Sequence, residues 1–211
     1  MTILDILDYA GVAVFAATGA LSASRRELDI IGYIFLASVT GIGGGTLRDV
    51  ILGQTPVFWV TNPAYLVICG TVGVLVFFSS HRLDSRYRTL VWLDAAGLSA
   101  YCVMGAAKGL AATGSPVVAL VTGMLTATFG GVLRDLLAGE PSVLLRPEIY
   151  VTAALAGAGA YVAATWLGLP PAFASGLGVL TAFAVRGGAL VFGWTLPSGK
   201  AGPGRDPKDV L

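Results

Sequence analysis

The chain has 211 residues, of which 55% are hydrophobic and only 12% are charged, and its mean hydropathy is +0.80. In soluble globular domains roughly a quarter of the residues are charged. The composition therefore excludes a soluble globular domain and indicates an integral membrane protein. The net charge of +1, with scattered Lys and Arg residues, excludes a basic surface for nucleic acid, and we expect no nucleic-acid partner.

Seven apolar runs approach the ~20 residues that a helix needs to cross a hydrocarbon core of ~30 Å. The first run begins with Asp5 and Asp8 instead of basic residues, so we assign it to the fold and not to a cleaved signal. The runs therefore predict an all-α membrane domain over residues 1–195. Gly and Pro are frequent from Pro197 onward, which predicts a disordered tail over 196–211. The runs cover about residues 9–23, 30–52, 64–79, 90–110, 116–138, 149–167 and 172–194.

Positive charges in the loops predict the orientation, because cytoplasmic loops carry an excess of Lys and Arg. With the N-terminus outside, the outer loops hold only Lys108. An odd number of crossings then places the C-terminus in the cytoplasm, as expected for a multi-pass protein of the cell (inner) membrane. The inner loops and the tail carry Arg25, Arg26, Arg82, Arg86, Arg88, Arg146, Lys200, Arg205 and Lys208.

Cys69 and Cys102 lie in apolar runs without CxxC spacing, and the single histidine, His81, lies in a charged loop. This pattern favours two small buried side chains over a disulfide or a metal site.

An internal repeat relates the two halves of the chain. The stretches GGGTLRDVILG and GGVLRDLLAG align at an offset of 86 residues, which superposes Arg48 on Arg134 and Asp49 on Asp135 without a gap. The same offset aligns Asp8 with Asp94. Further aligned pairs are Gly11 with Gly97, Gly19 with Gly105, Thr40 with Thr126, Gly44 with Gly130 and Gly45 with Gly131.

Each repeat holds about three crossings, so the second copy must enter the membrane with opposite polarity. We therefore predict two inverted three-helix repeats, at about residues 7–80 and 93–167, followed by an extra seventh helix at about 172–194. Inverted repeats are common in transport proteins, where interrupted helices in corresponding positions mark the site.

The consecutive glycines in the second and fifth crossings allow two interpretations. Glycine permits close packing between membrane helices, but adjacent glycines also weaken a helix by about 1 kcal/mol each. We favour the second effect and expect a kink or a short unwound step in the second and fifth helices, which would border a wet path. The glycines concerned are Gly43, Gly44, Gly45, Gly130 and Gly131.

Charged residues within the crossings are costly and usually face a bundle interior or an aqueous cavity. Arg48 and Asp49, like Arg134 and Asp135, point about 100° apart on a helix, so each could pair with another helix instead of with its neighbour. The alternative is a structural ion pair near a helix end. We expect these four residues to border the path.

Arg186 is a third intramembrane cation, beside Gly187 and Gly188 and without a local acid. Contact with a pore or gate and a purely structural role are both open for it. Thr40 and Thr126, which the repeat matches, are candidates to line the path, although such hydroxyls often bond to their own helix.

The doubled glycine-Arg-Asp motif, the three-plus-three repeat and the seventh helix resemble prokaryotic members of the trimeric intracellular cation (TRIC) channel family, also catalogued as putative glycine transporters. The resemblance covers about residues 7–195. It implies a homotrimer with an hourglass pore in each subunit, lined by the second and fifth helices and passing potassium or sodium. The residues that it implicates are Gly43, Gly44, Gly45, Arg48, Gly130, Gly131 and Arg134.

The resemblance implies no cofactor beyond the permeant ions. Animal members bind a phosphoinositide through a lysine-containing motif, but Gly-Thr-Leu-Arg-Asp stands in the matching region here, so a bound membrane lipid is left open. Arginines in a pore repel cations, so the sign of the permeant ion comes from the resemblance. Neutralisation by Asp49 and Asp135 would remove that objection.

Three other functions are alternatives to a channel. A secondary transporter of a small solute such as glycine is equally compatible with inverted repeats. A retinal-binding sensor needs a lysine in the last helix, where the only cation is Arg186. An enzyme is not expected, because the sequence has no nucleophile and base arrangement.

Overall fold

The computed structural model describes residues 3–83, 85–145 and 147–197, and within them the chain forms eight α-helices. Seven are long and correspond to the seven predicted crossings; the short α3, between Pro56 and Pro63, was not predicted. Arg146 and residues 198–211 of the predicted tail lie outside the described residues. The helices are α1 (Ile3–Arg25), α2 (Ile30–Ile51), α3 (Phe58–Thr61), α4 (Ala64–Ser79), α5 (Arg86–Thr113), α6 (Pro116–Leu137), α7 (Val151–Trp166) and α8 (Pro171–Phe192).

Six helical segments of the described residues have the length and hydropathy of membrane spans; α4 is one of them together with the 3-10 turn that continues it to Arg82. α7 is a shorter apolar helix of 16 residues. At 1.5 Å per residue α7 is about 24 Å long, close to the thickness of the hydrocarbon core. The central helix is α5, which packs against α1, α6, α7 and α8. The predicted all-α membrane fold with seven crossings is therefore confirmed.

The helix ends follow from local sequence. Asp29 caps α2 by accepting the Gly32 N–H at 2.8 Å, and Ser85 caps α5 by accepting the Arg88 N–H at 3.2 Å. The ends of α2 and α6 repeat each other: Gly53 and Gly139 adopt φ of 66° and 62°, the left-handed conformation that glycine tolerates best. Both helices thus end in the same way at the repeat offset.

Equivalent helices of the two repeats contact each other with exchange symmetry. A Cβ atom added at Gly11 would clash with the ring of Tyr101, and one added at Gly97 would lie 3.1 Å from the ring of Phe15. As the residue number rises along α1, its partner's number falls along α5, so the two helices run antiparallel. The rings of Phe15 and Tyr101, which the offset matches, lie 5.1 Å apart. These contacts support the inverted insertion, which stays a prediction.

The loop charges separate to two ends of the bundle. Arg25 pairs with Glu140 at 2.9 Å, and Arg86 Nη1 donates to the carbonyl of Ser24 at 3.2 Å, so the loops predicted to be cytoplasmic share one end, the inner end. Lys108 pairs with Asp8 at 3.4 Å at the opposite, outer end. Which end faces the cytoplasm stays a prediction.

Candidate functional site

Helices α2 and α6, which are the second and fifth predicted crossings, approach each other closely at two matched glycines. A Cβ atom at Gly44 would meet the carbonyl oxygen of Thr126, and one at Gly130 would meet the carbonyl oxygen of Thr40, both within the 3.0 Å that real Cβ atoms essentially never show. Because the two contacts exchange at the repeat offset, the helices are antiparallel where they cross. Gly44 and Gly130 therefore permit the close packing of small residues on membrane helices.

The expected unwound step is wrong. The glycines of both motifs lie inside continuous α-helices, Ile30–Ile51 and Pro116–Leu137. Packing between the helices provides the physical reason: it stabilises the helical backbone that local propensity would weaken, and only a residue without Cβ fits. The neighbouring glycines have different partners, since Gly45 faces the ring of Phe58 and Gly43 faces the side chain of Leu133. Bending of the two helix axes stays a prediction.

Thr40 and Thr126 lie at this crossing and are fully buried. Each hydroxyl donates to the carbonyl four residues earlier, on Leu36 and Thr122, at 2.6 Å. Each hydroxyl therefore has its hydrogen-bond acceptor on its own helix in this state. Their role in lining a path stays a prediction.

The outer arginine pairs with its own neighbour. Arg48 Nε and Nη2 donate to one oxygen of Asp49, at 2.9 and 2.7 Å, and Arg48 is only 1% exposed. The second Asp49 oxygen accepts the backbone N–H of Phe58 at 2.8 Å. Of the two possibilities that the sequence left open for Arg48, a partner on another helix or an ion pair within the motif, the structure has the ion pair within the motif.

The short helix α3 covers this outer centre. Arg48 and Lys108 lie on the ring of Phe58, with their charged groups 5.6 and 5.7 Å from its centroid. Trp59 Nε1 donates to the hydroxyl of Thr46 at 2.9 Å, which fixes α3 to α2. Cation–π attraction to this ring stabilises both charged groups.

The inner arginine pairs with two carboxylates. Arg134 Nε and Nη2 donate to Asp135 at 3.0 and 2.8 Å, as in the outer motif, and Nη1 donates to Asp94 of α5 at 2.7 Å. The other Asp135 oxygen accepts the N–H of Val143 at 3.0 Å. Here a partner on another helix is present, as expected, beside the local one.

The two arginines lie on opposite sides of the crossing. The contacts of Thr40 with Gly130 and of Gly44 with Thr126 centre on positions 42 and 128, and each arginine is six residues beyond its centre. At 1.5 Å per residue, each lies about 9 Å from the crossing along its helix. Both centres therefore fit within a hydrocarbon core of ~30 Å.

The repeat copies differ in their surroundings. Asp8 and Asp94 occupy matched positions, but Asp8 accepts from Tyr65 at 3.0 Å and pairs with Lys108, whereas Asp94 binds Arg134. The two ends of the bundle are thus chemically distinct at these matched positions. The sequence alignment already matched Asp8 with Asp94 but gave no reason to assign them to the site.

Arg186 lies at the inner end and is 1% exposed. Its Nη2 donates to Glu148 at 2.8 Å and its Nη1 to the carbonyl of Ile149 at 3.1 Å. The guanidinium carbon lies 5.1 Å from the centroid of the Tyr150 ring. The partner acid stands 38 residues away in sequence, which is why no local pattern predicted it.

Comparison with known proteins supports the repeat and the fold. The model of the glycine transporter family matches the chain twice, over residues 5–81 and 91–166, and the matches begin 86 residues apart. The UPF0126 membrane protein of Vibrio cholerae is 37% identical over 202 residues, which cover 93% of this chain and 83% of that protein. The UPF0126 inner membrane protein YadS of Escherichia coli K12 is 36% identical over 195 residues, 91% of this chain and 94% of that protein.

Solved structures share the whole architecture. The TRIC trimeric intracellular cation channel orthologue from Rhodobacter sphaeroides is 52% identical, with a TM-score of 0.90, over 92% of this chain and 100% of that one. A prokaryotic TRIC channel crystallised in 0.5 M KCl is 28% identical, with a TM-score of 0.86, over 92% of this chain and 98% of that one. The chain is a multi-pass membrane protein that belongs to the TRIC family and matches the glycine transporter family model in both of its halves.

Proposed function

We propose that the chain is a monovalent cation channel that passes potassium or sodium, and that it assembles as a homotrimer with one conduction path in each subunit. The path follows the crossing of α2 with α6 and passes the Arg48 and Arg134 centres. The carboxylate pairing of both buried arginines carries this proposal, because it removes the positive charge that would repel a cation.

The charge balance at the two centres favours cations. At the inner centre one guanidinium group faces two carboxylates, Asp94 and Asp135, which leaves an excess of one negative charge. At the outer centre Arg48 is balanced by Asp49, and Lys108 by Asp8. A cation that moves between the centres therefore meets no unbalanced positive charge. The solved relatives described as cation channels and as trimeric support the same function and assembly.

The described state is closed at the crossing. Arg48, Thr40, Thr126 and Arg134 are each at most 4% exposed. Conduction requires α2 and α6 to separate at Gly44 and Gly130, or their side chains to turn, so that water reaches the threonines.

Potassium flux into proteoliposomes tests the proposal. Proteoliposomes that contain the purified protein should dissipate a potassium gradient far faster than empty vesicles do. A chloride gradient should persist. Asp94→Asn, which removes the excess negative charge at the inner centre, should lower the preference for potassium over chloride, and Asp29→Asn at an exposed helix cap is the matched control. Dissipation of chloride in preference to potassium would contradict the proposal.

A secondary transporter of glycine is the second candidate, favoured by the family description that matches both repeats. Saturable glycine uptake that is accelerated by glycine on the opposite side would support it. Potassium flux at ion-channel rates without glycine would exclude it.

A further inference from the structure

An open cavity lies at the inner end of the bundle. Its volume is about 560 Å³, and it lies between the first turns of α5, the end of α8 and the segment before α7. Ionic and aromatic side chains line it together, which is unusual for a surface that faces lipid. Its lining includes Arg88, Val91, Trp92, Glu148 and Arg186.

A narrow gap continues from this cavity toward the Arg134 centre. The gap has a volume of about 20 Å³, and Val91, Glu148 and Arg186 border both spaces. Its deep wall is formed by Asp94 and Arg134. Since a cavity of about 10–15 Å³ holds one water molecule, the gap admits single waters but not a hydrated ion.

The Arg186–Glu148 ion pair lies on the wall that the cavity and the gap share. Glu148 has a side chain that is 29% exposed, whereas the Arg186 side chain is 1% exposed, so the pair reaches from the cavity into the protein. Arg186 Nε is buried without a hydrogen-bond partner among the described residues. A buried donor without a partner destabilises the closed arrangement, so a state in which water reaches Arg186 would relieve this cost.

The segment that carries Glu148 also contacts the motif of α6. The Tyr150 hydroxyl lies 2.8 Å from where a Cβ atom at Gly131 would stand, one turn before Arg134. Glu148 itself forms a β-bridge with Thr195, after α8. Movement of this segment would therefore change the cavity and the Arg134 centre together.

We propose that cations enter the conduction path at the inner end through this cavity between α5 and α8, and that the Arg186–Glu148 pair is the constriction that opens to admit them. This inference rests on the proposed channel function. It adds an entrance and a gate that the crossing of α2 with α6 does not contain.

Modification of an introduced cysteine tests the entrance. Val91→Cys places a thiol in the cavity wall, and His81→Cys places one on the exposed surface of the inner end, outside the cavity lining. The native Cys69 and Cys102 are fully buried, so the treated wild type controls for them. In a planar bilayer, a charged methanethiosulfonate applied to the inner side should reduce single-channel conductance at least twofold in Val91→Cys alone.

Glu148→Gln tests the gate, because it keeps the shape of the side chain and removes its charge. We expect open probability to rise by up to about fivefold, the upper end of the range for a partly exposed ion pair, with unchanged conductance. Unchanged conductance in Val91→Cys after modification verified by mass spectrometry would overturn the entrance, and unchanged open probability in Glu148→Gln would overturn the gate. A wild type without cation current would instead refute the proposed function.

Discussion

The crossing of α2 with α6 makes a quantitative prediction for Gly44→Ala and Gly130→Ala. The added methyl groups would meet the carbonyl oxygens of Thr126 and Thr40 inside 3.0 Å, whereas ordinary contact begins at 3.4 Å. A backbone carbonyl cannot turn away as a side chain can, so the two helices must separate by about 1 Å. The strain of such overpacking is about 1–3 kcal/mol, and the better helix propensity of alanine returns at most about 1 kcal/mol of it.

Thermal unfolding in detergent, followed by size-exclusion chromatography with fluorescence detection, measures this effect. Gly70→Ala and Gly176→Ala are matched controls, because both glycines lie in helices with no atom within 4 Å of the added methyl group. The controls should unfold at or above the wild-type temperature, and the crossing variants several degrees below it. Crossing variants as stable as the controls would refute the close packing of α2 on α6.

Three further substitutions separate the roles of the charged centres. Arg134→Ala leaves two buried carboxylates together and should destabilise the protein by about 3–5 kcal/mol, more than Arg48→Ala, which leaves one; equal melting temperatures would contradict the pairing scheme. Asp94→Asn should lower the melting temperature, because it weakens a charge-assisted hydrogen bond that contributes about 1.5–3 kcal/mol. An unchanged melting temperature would mean that only Asp135 stabilises Arg134. Phe58→Ala should raise open probability in bilayer recordings by uncovering Arg48, and an unchanged value would make α3 a passive cover.

The sequence predicted the seven crossings because each is an apolar run that must satisfy its backbone within the membrane. It placed α5 at about residues 90–110, whereas Ser85 and Gly114 extend the helix to Arg86–Thr113. The four-residue α3 was missed because it is too short to show a helical period and is held by Asp49 and Thr46 of α2.

The glycine motifs show where local reasoning was insufficient. Propensity predicted an unwound step at Gly43–Gly45, but propensity does not include the partner helix, whose carbonyl of Thr126 occupies the space of a Cβ atom at Gly44. The repeat alignment itself contained the missing information: Gly44 and Thr126, and Gly130 and Thr40, are exchange-related positions. In each helix the threonine stands four residues before the glycine, so each glycine can face the threonine carbonyl of the partner helix.

The intramembrane arginines lie within the predicted helices, but their partners did not follow from the sequence. An intramembrane arginine must find a carboxylate, yet a helix offers one beside it and neighbouring helices offer others. Arg48 uses its sequence neighbour, Arg134 uses both kinds of partner, and Arg186 of α8 uses Glu148 from the loop between α6 and α7. Only the packing of the helices decides among these, because it sets which carboxylates lie within 4 Å.

The reversal potential of purified wild-type protein across a potassium chloride gradient tests the central claim most directly. If carboxylates neutralise the two buried arginines along the crossing of α2 with α6, the current in a planar bilayer should reverse close to the potassium equilibrium potential. Reversal close to the chloride equilibrium potential would show that the guanidinium charges dominate the path and would contradict the account.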